Sequence, residues 1–140
     1  MRNDGSSDAA LHHVSLRVAD LERSIAFYRD GLGLTLGSAF ELSGRRFALM
    51  VAPRGGRVEL VESEAGARPS ERDVLWHFAL ETDDAQAALD VAVSAGGEIT
   101  VPLTALDLID EVSGRPFRVR LAFVRGPDAE EVELIEELDG

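Results

Sequence analysis

The chain holds three histidines: His12 and His13 side by side in "LHHVSLRV", and His77 in "VLWHFALE". Neighbouring residues on a strand point to opposite faces, so His12 and His13 cannot share one environment. The alternation in "HVSLRV" sets Val14, Leu16 and Val18 on one face and His13, Ser15 and Arg17 on the other. "VLWHFALE" alternates the same way, with Trp76, Phe78 and Leu80 opposite His77, Ala79 and Glu81. Glutamates complete the pattern: Glu59 sits between Val58 and Leu60, and Glu133 between Val132 and Leu134. His13 precedes His77 by 64 residues and Glu59 precedes Glu133 by 74, so each half supplies one imidazole and one carboxylate. If the apolar neighbours face helices, all four groups turn to the opposite, cupped side. Two imidazoles and two carboxylates brought together there suit a divalent metal such as zinc, nickel, iron or manganese. Taken singly, each residue reads as a satisfied structural histidine or a solvated strand glutamate; the duplicated pattern favours a metal or active site. His12 has the opposite parity, and Trp76 stands at its equivalent position, so it keeps the structural reading.

The elements that must carry these residues repeat as well. Asp20 stands where a helix N-cap belongs before "LERSIAFYRD", and Gly31 and Gly33 close that helix. Phe27 and Tyr28 are expected to pack this helix on a sheet. "RRFALMV" and "RVELVE", joined by "APRGG", read as a hairpin. The second half replays the order with "VLWHFALE", the capped helix "TDDAQAALDVAVSAGG", "FRVRLAFV" and "EVELIE". Residue identities match too: "ELSGRRF" answers "EVSGRPF", and "RVELVE" answers "EVELIE". The expected fold is α+β, two tandem βαβββ modules forming a cupped mixed sheet with helices on its outer face. Module one covers 11–64, a polar linker 65–74, and module two 75–138, in one domain behind a flexible tail at 1–10. Neither module is large enough for a good core alone.

Composition prunes the chemistry further. The 140 residues include no cysteine and no lysine, all fourteen basic residues being arginine. That removes disulfides, thiolate nucleophiles and Schiff-base catalysis. A formal net charge of −12 argues against nucleic-acid partners and anionic membranes. No apolar run approaches the roughly 20 residues of a membrane span, and the opening residues lack a signal peptide's apolar core, so the cytoplasm is the expected location. "GLGLTLG" follows a helix instead of opening one, which speaks against a dinucleotide loop. Arg17 shares the parity of His13. On "FRVRLAFV", Arg118 and Arg120 alternate with Phe117, Val119, Leu121 and Phe123 and are expected to face the cup. Arginine forks suit carboxylate or phosphate, so these three are candidate contacts for an anionic substrate; pairing with nearby glutamates is the competing reading.

"HVSLRVADLERSIAFYRDGLGL", followed by "VELVE", "WHFALETDD" and "GPDAEEVELIE", resembles the vicinal oxygen chelate superfamily, the glyoxalase/bleomycin resistance protein/dioxygenase family. The resemblance covers nearly all of the chain after residue 10. It implies paired βαβββ modules curled around a cavity, a small-molecule substrate and a homodimer. His13, Glu59, His77 and Glu133 fall at that family's metal-ligand positions, and the His, Glu, His, Glu set is most similar to glyoxalase I. "FVRGPDAEEVELIE" departs from glyoxalase I, where a "DPDGY"-like turn is typical. The implied chemistry is an isomerase or lyase that moves a proton beside a carbonyl, with Glu133 the first expected base and Glu59 the second. Two alternatives stay open: a metal-free small-molecule binder of the bleomycin-resistance type, and an extradiol-dioxygenase-like enzyme.

Overall fold

Alternation of apolar and polar residues over short β-branched runs makes strands, and eight of them carry the fold among the described residues. They are β1 (Ala10–Val18), β2 (Thr35–Leu42), β3 (Arg45–Val51), β4 (Arg57–Glu62), β5 (Leu75–Glu81), β6 (Glu98–Ile109), β7 (Pro116–Arg125) and β8 (Glu131–Glu137). Among the described residues two α-helices join them, α1 (Leu21–Ala26) and α2 (Ala85–Ser94), so the class is α+β with the order βαβββ twice over. The structure is a computed structural model and describes residues 9–64, 69–70, 73–127 and 129–138. The tail expected at 1–10 lies outside the described residues but for Ala9 and Ala10, and Ala10 already belongs to β1. Most of the linker at 65–74 lies outside them as well.

The chain divides into two units. One comprises His13–Trp76 with Leu108–Pro116; the other takes up the remaining described residues, including His77–Asp107. In the first, the strands follow the order β2-β3-β4-β1. β1 and β4 run parallel with Ser15 beside Glu59 and Leu16 beside Leu60. β3 is antiparallel to β4 and to β2, with Leu49 on the other side of Glu59. The predicted hairpin forms as expected. Gly55 and Gly56 have φ of 107° and 94°, a left-handed backbone that glycine adopts without strain. The face bearing Leu16, Val58 and Leu60 packs on Leu21 and Ile25 of α1, with Ala48 and Met50 from β3. Complete burial of one such leucine contributes about 1.5–3 kcal/mol.

Asp20 caps α1 as predicted, its Oδ1 accepting from the Arg23 N–H at 3.1 Å. The helix is shorter than its sequence pattern suggests. After Ala26 the chain passes into a π-helical turn, Phe27–Gly31, whose wider winding shifts the side chains around the axis. Tyr28 stays on the core, but Phe27 is 58% exposed and does not make the sheet contact expected of it.

In the second unit the order is β5-β8-β7-β6. β5 and β8 are parallel, with Ala79 beside Glu133, while β7 is antiparallel to β8, with Phe123 on the other side of Glu133. Leu134, Ala122 and Val124 pack under Leu89 of α2. Asp84 caps α2 by accepting from the Ala87 N–H at 3.0 Å. The opposite face of these strands is also apolar in part: Ala79, Val119 and Ile135 form a second cluster with Phe117 and Leu121.

Candidate metal centre

Register explains why the key polar groups are buried on the faces turned away from the helices. In the first unit, Ser15 and Glu59 are cross-strand neighbours, and His13 lies two residues before Ser15 on the same face. His13 Nε2 lies 3.4 Å from Glu59 Oε1, with both side chains almost wholly buried. Ser15 beside them is fully buried. The face continues into stacked Phe40 and Phe47, their ring centroids 5.3 Å apart, so the polar group is walled by apolar surface.

The second unit repeats this arrangement. His77 Nε2 lies 3.0 Å from Glu133 Oε1, both buried. Phe123, the register neighbour of Glu133, meets the His77 ring edge to face at 4.9 Å between centroids. That contact restricts the imidazole's rotation and keeps Nε2 toward the carboxylate. In each unit, then, an imidazole nitrogen and a carboxylate oxygen meet in a dry environment. Both atoms carry the lone pairs that a borderline divalent cation takes, and burial strengthens their electrostatic interaction with a cation. The donor chemistry of each pair fits a metal such as zinc, nickel, iron or manganese.

His12 is buried too, but its contact is different. Its Nε2 lies 2.5 Å from Glu137 Oε2 near the end of β8, an arrangement that agrees with a structural role. Sequence parity separated it from His13 without revealing this partner.

The three arginines fall into two groups. Arg17 shares the face of His13, Ser15 and Glu59, as expected. Its Nη1 donates to the Asp73 carbonyl oxygen at 2.9 Å, and its guanidinium carbon sits 5.0 Å from the centroid of the Trp76 ring. Arg118 and Arg120 do not face the side expected of them. Phe123 is the register partner of Glu133 and Arg120 that of Glu136, so Arg118 and Arg120 lie on the face that carries Ala122 and Leu134 under α2. Arg120 Nη2 donates to Glu136 Oε2 at 2.9 Å, and this hydrogen bond holds the guanidinium above its ordinary pKa. Glu136 Oε1 also accepts from the Ala85 N–H at 3.0 Å, so this arginine braces the start of α2. The expectation failed because both faces of β7 carry apolar residues, and alternation alone does not tell which one meets the helix.

Sequence reasoning assigned no role to Ser15, although its parity with His13 was readable. The positions of Phe40, Phe47 and Phe123 beside the pairs required the strand register.

Comparison with known proteins finds relatives along most of the chain. The chain is similar to lactoylglutathione lyase of Escherichia coli O157:H7, 33% identical over 134 residues that span 92% of this chain and 93% of that one. The lactoylglutathione lyase of Salmonella typhimurium is 31% identical over the same coverage. Among solved structures, a hypothetical protein from Bacillus halodurans superposes with a TM-score of 0.72 at 17% identity, covering 95% of this chain and 97% of that chain. Methylmalonyl-CoA epimerase from Mycobacterium tuberculosis superposes with a TM-score of 0.70 at 24% identity, covering 91% and 87%. At those identities the two structures speak for the fold alone. The profile of the Glyoxalase/Bleomycin resistance protein/Dioxygenase superfamily matches residues 10–107. With its duplicated βαβββ order and a buried histidine–glutamate pair in each half, this chain belongs to the glyoxalase/bleomycin resistance protein/dioxygenase superfamily.

Proposed function

We propose that the chain is a metal-dependent lyase or isomerase that moves a proton beside a carbonyl of a small, anionic substrate. The observation that carries this reading is the duplicated buried pair, His13 with Glu59 and His77 with Glu133. In this reading His13, Glu59, His77 and Glu133 are the ligands of a divalent ion, each a buried imidazole or carboxylate with the donor chemistry for it. The relatives named lactoylglutathione lyase support the reaction class.

When bound, the ion supplies Lewis acidity that stabilises negative charge developing on the substrate's carbonyl oxygen. The protein's own groups do the rest. The Glu133 carboxylate takes a proton from the carbon beside the carbonyl and returns it to the neighbouring carbon, with Glu59 the second candidate for that role. The apolar walls around both glutamates exclude water, which keeps the abstracted proton from exchanging before its return. Arg17 offers a guanidinium fork to a substrate carboxylate from the face that His13 shares.

The test is metal analysis of protein purified without chelators, followed by an assay with lactoylglutathione and its precursors. The expected result is a bound divalent ion near one equivalent per chain and turnover that stops on chelation and returns with metal. A metal-free protein that gains no thermal stability from zinc, nickel, iron or manganese would overturn the reading in favour of a small-molecule binder.

A further inference from the structure

The strand neighbours of Glu59 and Glu133 differ in one polar group. In the first unit the strand neighbours of Glu59 are Ser15 and Leu49. In the second, the strand neighbours of Glu133 are Ala79 and Phe123. Ser15 and Ala79 are equivalent in the repeat, each two residues after its half's histidine. Ser15 therefore brings a hydroxyl to one glutamate where the other has a methyl group. That hydroxyl is fully buried and finds no hydrogen-bond partner among the described residues. A buried hydroxyl without a partner costs stability, and its persistence calls for a compensating use.

We propose that Ser15 is a positioning residue for Glu59: its Oγ–H donates to the Glu59 carboxylate when that carboxylate serves as a metal ligand. Adjacent strands lie about 4.8 Å apart, which brings the serine hydroxyl and the flexible glutamate side chain within reach of each other on their shared face. Donation to one oxygen leaves the other for the cation and limits the carboxylate's rotation. Groups that fix a ligand in this way tune metal affinity. Glu133, flanked only by Ala79 and Phe123 in the sheet, receives no such hydroxyl from its strand neighbours. The two glutamates thereby have unequal strand neighbours, a hydroxyl beside one carboxylate and a methyl group beside the other.

This proposal rests on the metal-dependent reading, and one set of measurements separates the two. Wild type, Ser15→Ala and Ser15→Thr are compared for melting temperature without metal, for zinc affinity by chelator competition, and for the visible spectrum of the cobalt-loaded protein. Removing an unsatisfied hydroxyl should raise the metal-free melting temperature of Ser15→Ala by about 3 °C. The same change should weaken zinc about 10-fold and shift the cobalt spectrum, while Ser15→Thr restores both. Opposite signs for stability and affinity are what a merely structural serine would not produce. Wild-type affinity in Ser15→Ala, or a parallel fall in both stability and affinity, overturns the role of Ser15 and leaves the metal reading standing. If wild type itself takes up neither zinc nor cobalt, the metal reading falls and the proposal falls with it.

Discussion

At the residue scale, the proposed chemistry draws on four side chains whose burial is unusual for their types. Histidine and glutamate are rarely buried without a partner, and here each is buried with the other. Glu133→Gln keeps the shape of the side chain but removes its basicity, so turnover should fall about 10²–10⁴-fold. Steady-state kinetics on metal-loaded protein checks this; unchanged kcat would move the base to Glu59 or elsewhere. The arginines make a paired prediction. Arg17→Gln should raise KM for an anionic substrate about 10-fold, the scale of one charge-assisted hydrogen bond. Arg120→Gln should leave KM unchanged, because that side chain is turned toward Glu136 and the start of α2. Equal effects from both substitutions would contradict the opposite facing of Arg17 and Arg120 relative to the helices.

At the element scale, the loop after β6 is secured by one carboxylate. Asp110 is buried and accepts from the Ala39 N–H at 3.3 Å, the Val112 N–H at 2.9 Å, Ser38 Oγ at 3.2 Å and Ser113 Oγ at 3.1 Å. Burial alone would raise its pKa. The bonds from Val112 and Ala39, aided by Ser113 and Ser38, outweigh that and leave it below the ordinary carboxylate range. A lowered folded pKa means the stabilisation is present above the unfolded value of about 4 and is lost as pH falls through the folded value. Acid titration of stability should therefore lose part of its slope below about pH 4 in Asp110→Asn. Asp110→Ala should cost about 3 kcal/mol by denaturant unfolding at neutral pH, since it strands two N–H groups and two hydroxyls. A loss under about 0.5 kcal/mol, the range of ordinary surface changes, would show that the loop is held by other contacts. The helices show how far local pattern reaches. Asp20 and Asp84 were legible as caps because capping is decided within three residues. The π-helical turn after Ala26, which carries Tyr28 onto the core, was not.

At the scale of the whole molecule, fold and metal are expected to be linked. A ligand that binds only the folded chain stabilises it by about 2.7 kcal/mol at 100 times its dissociation constant. Zinc or nickel at that excess should raise the melting temperature of wild type, and His13→Ala and His77→Ala should each abolish most of the rise. Calorimetry with and without metal reads this directly. A rise that persists in both variants would place the ion away from the duplicated pairs.

What the sequence determined by itself was the duplication and its consequences. The βαβββ order, the equivalence of His13 with His77 and of Glu59 with Glu133, and the exclusion of His12 all follow from strand parity and spacing, which are local properties. Which face of each strand meets a helix was set by the folded arrangement instead. Phe117, Val119, Leu121 and Phe123 read as helix-facing because they are apolar, yet they occupy the other side, and this turns Arg118 and Arg120 to the face that carries Ala122 and Leu134. Burial on both faces erases the contrast that parity depends on, and register between distant strands restores it. The same register set a hydroxyl beside Glu59 and a methyl group beside Glu133, a difference that no single segment of the chain contains.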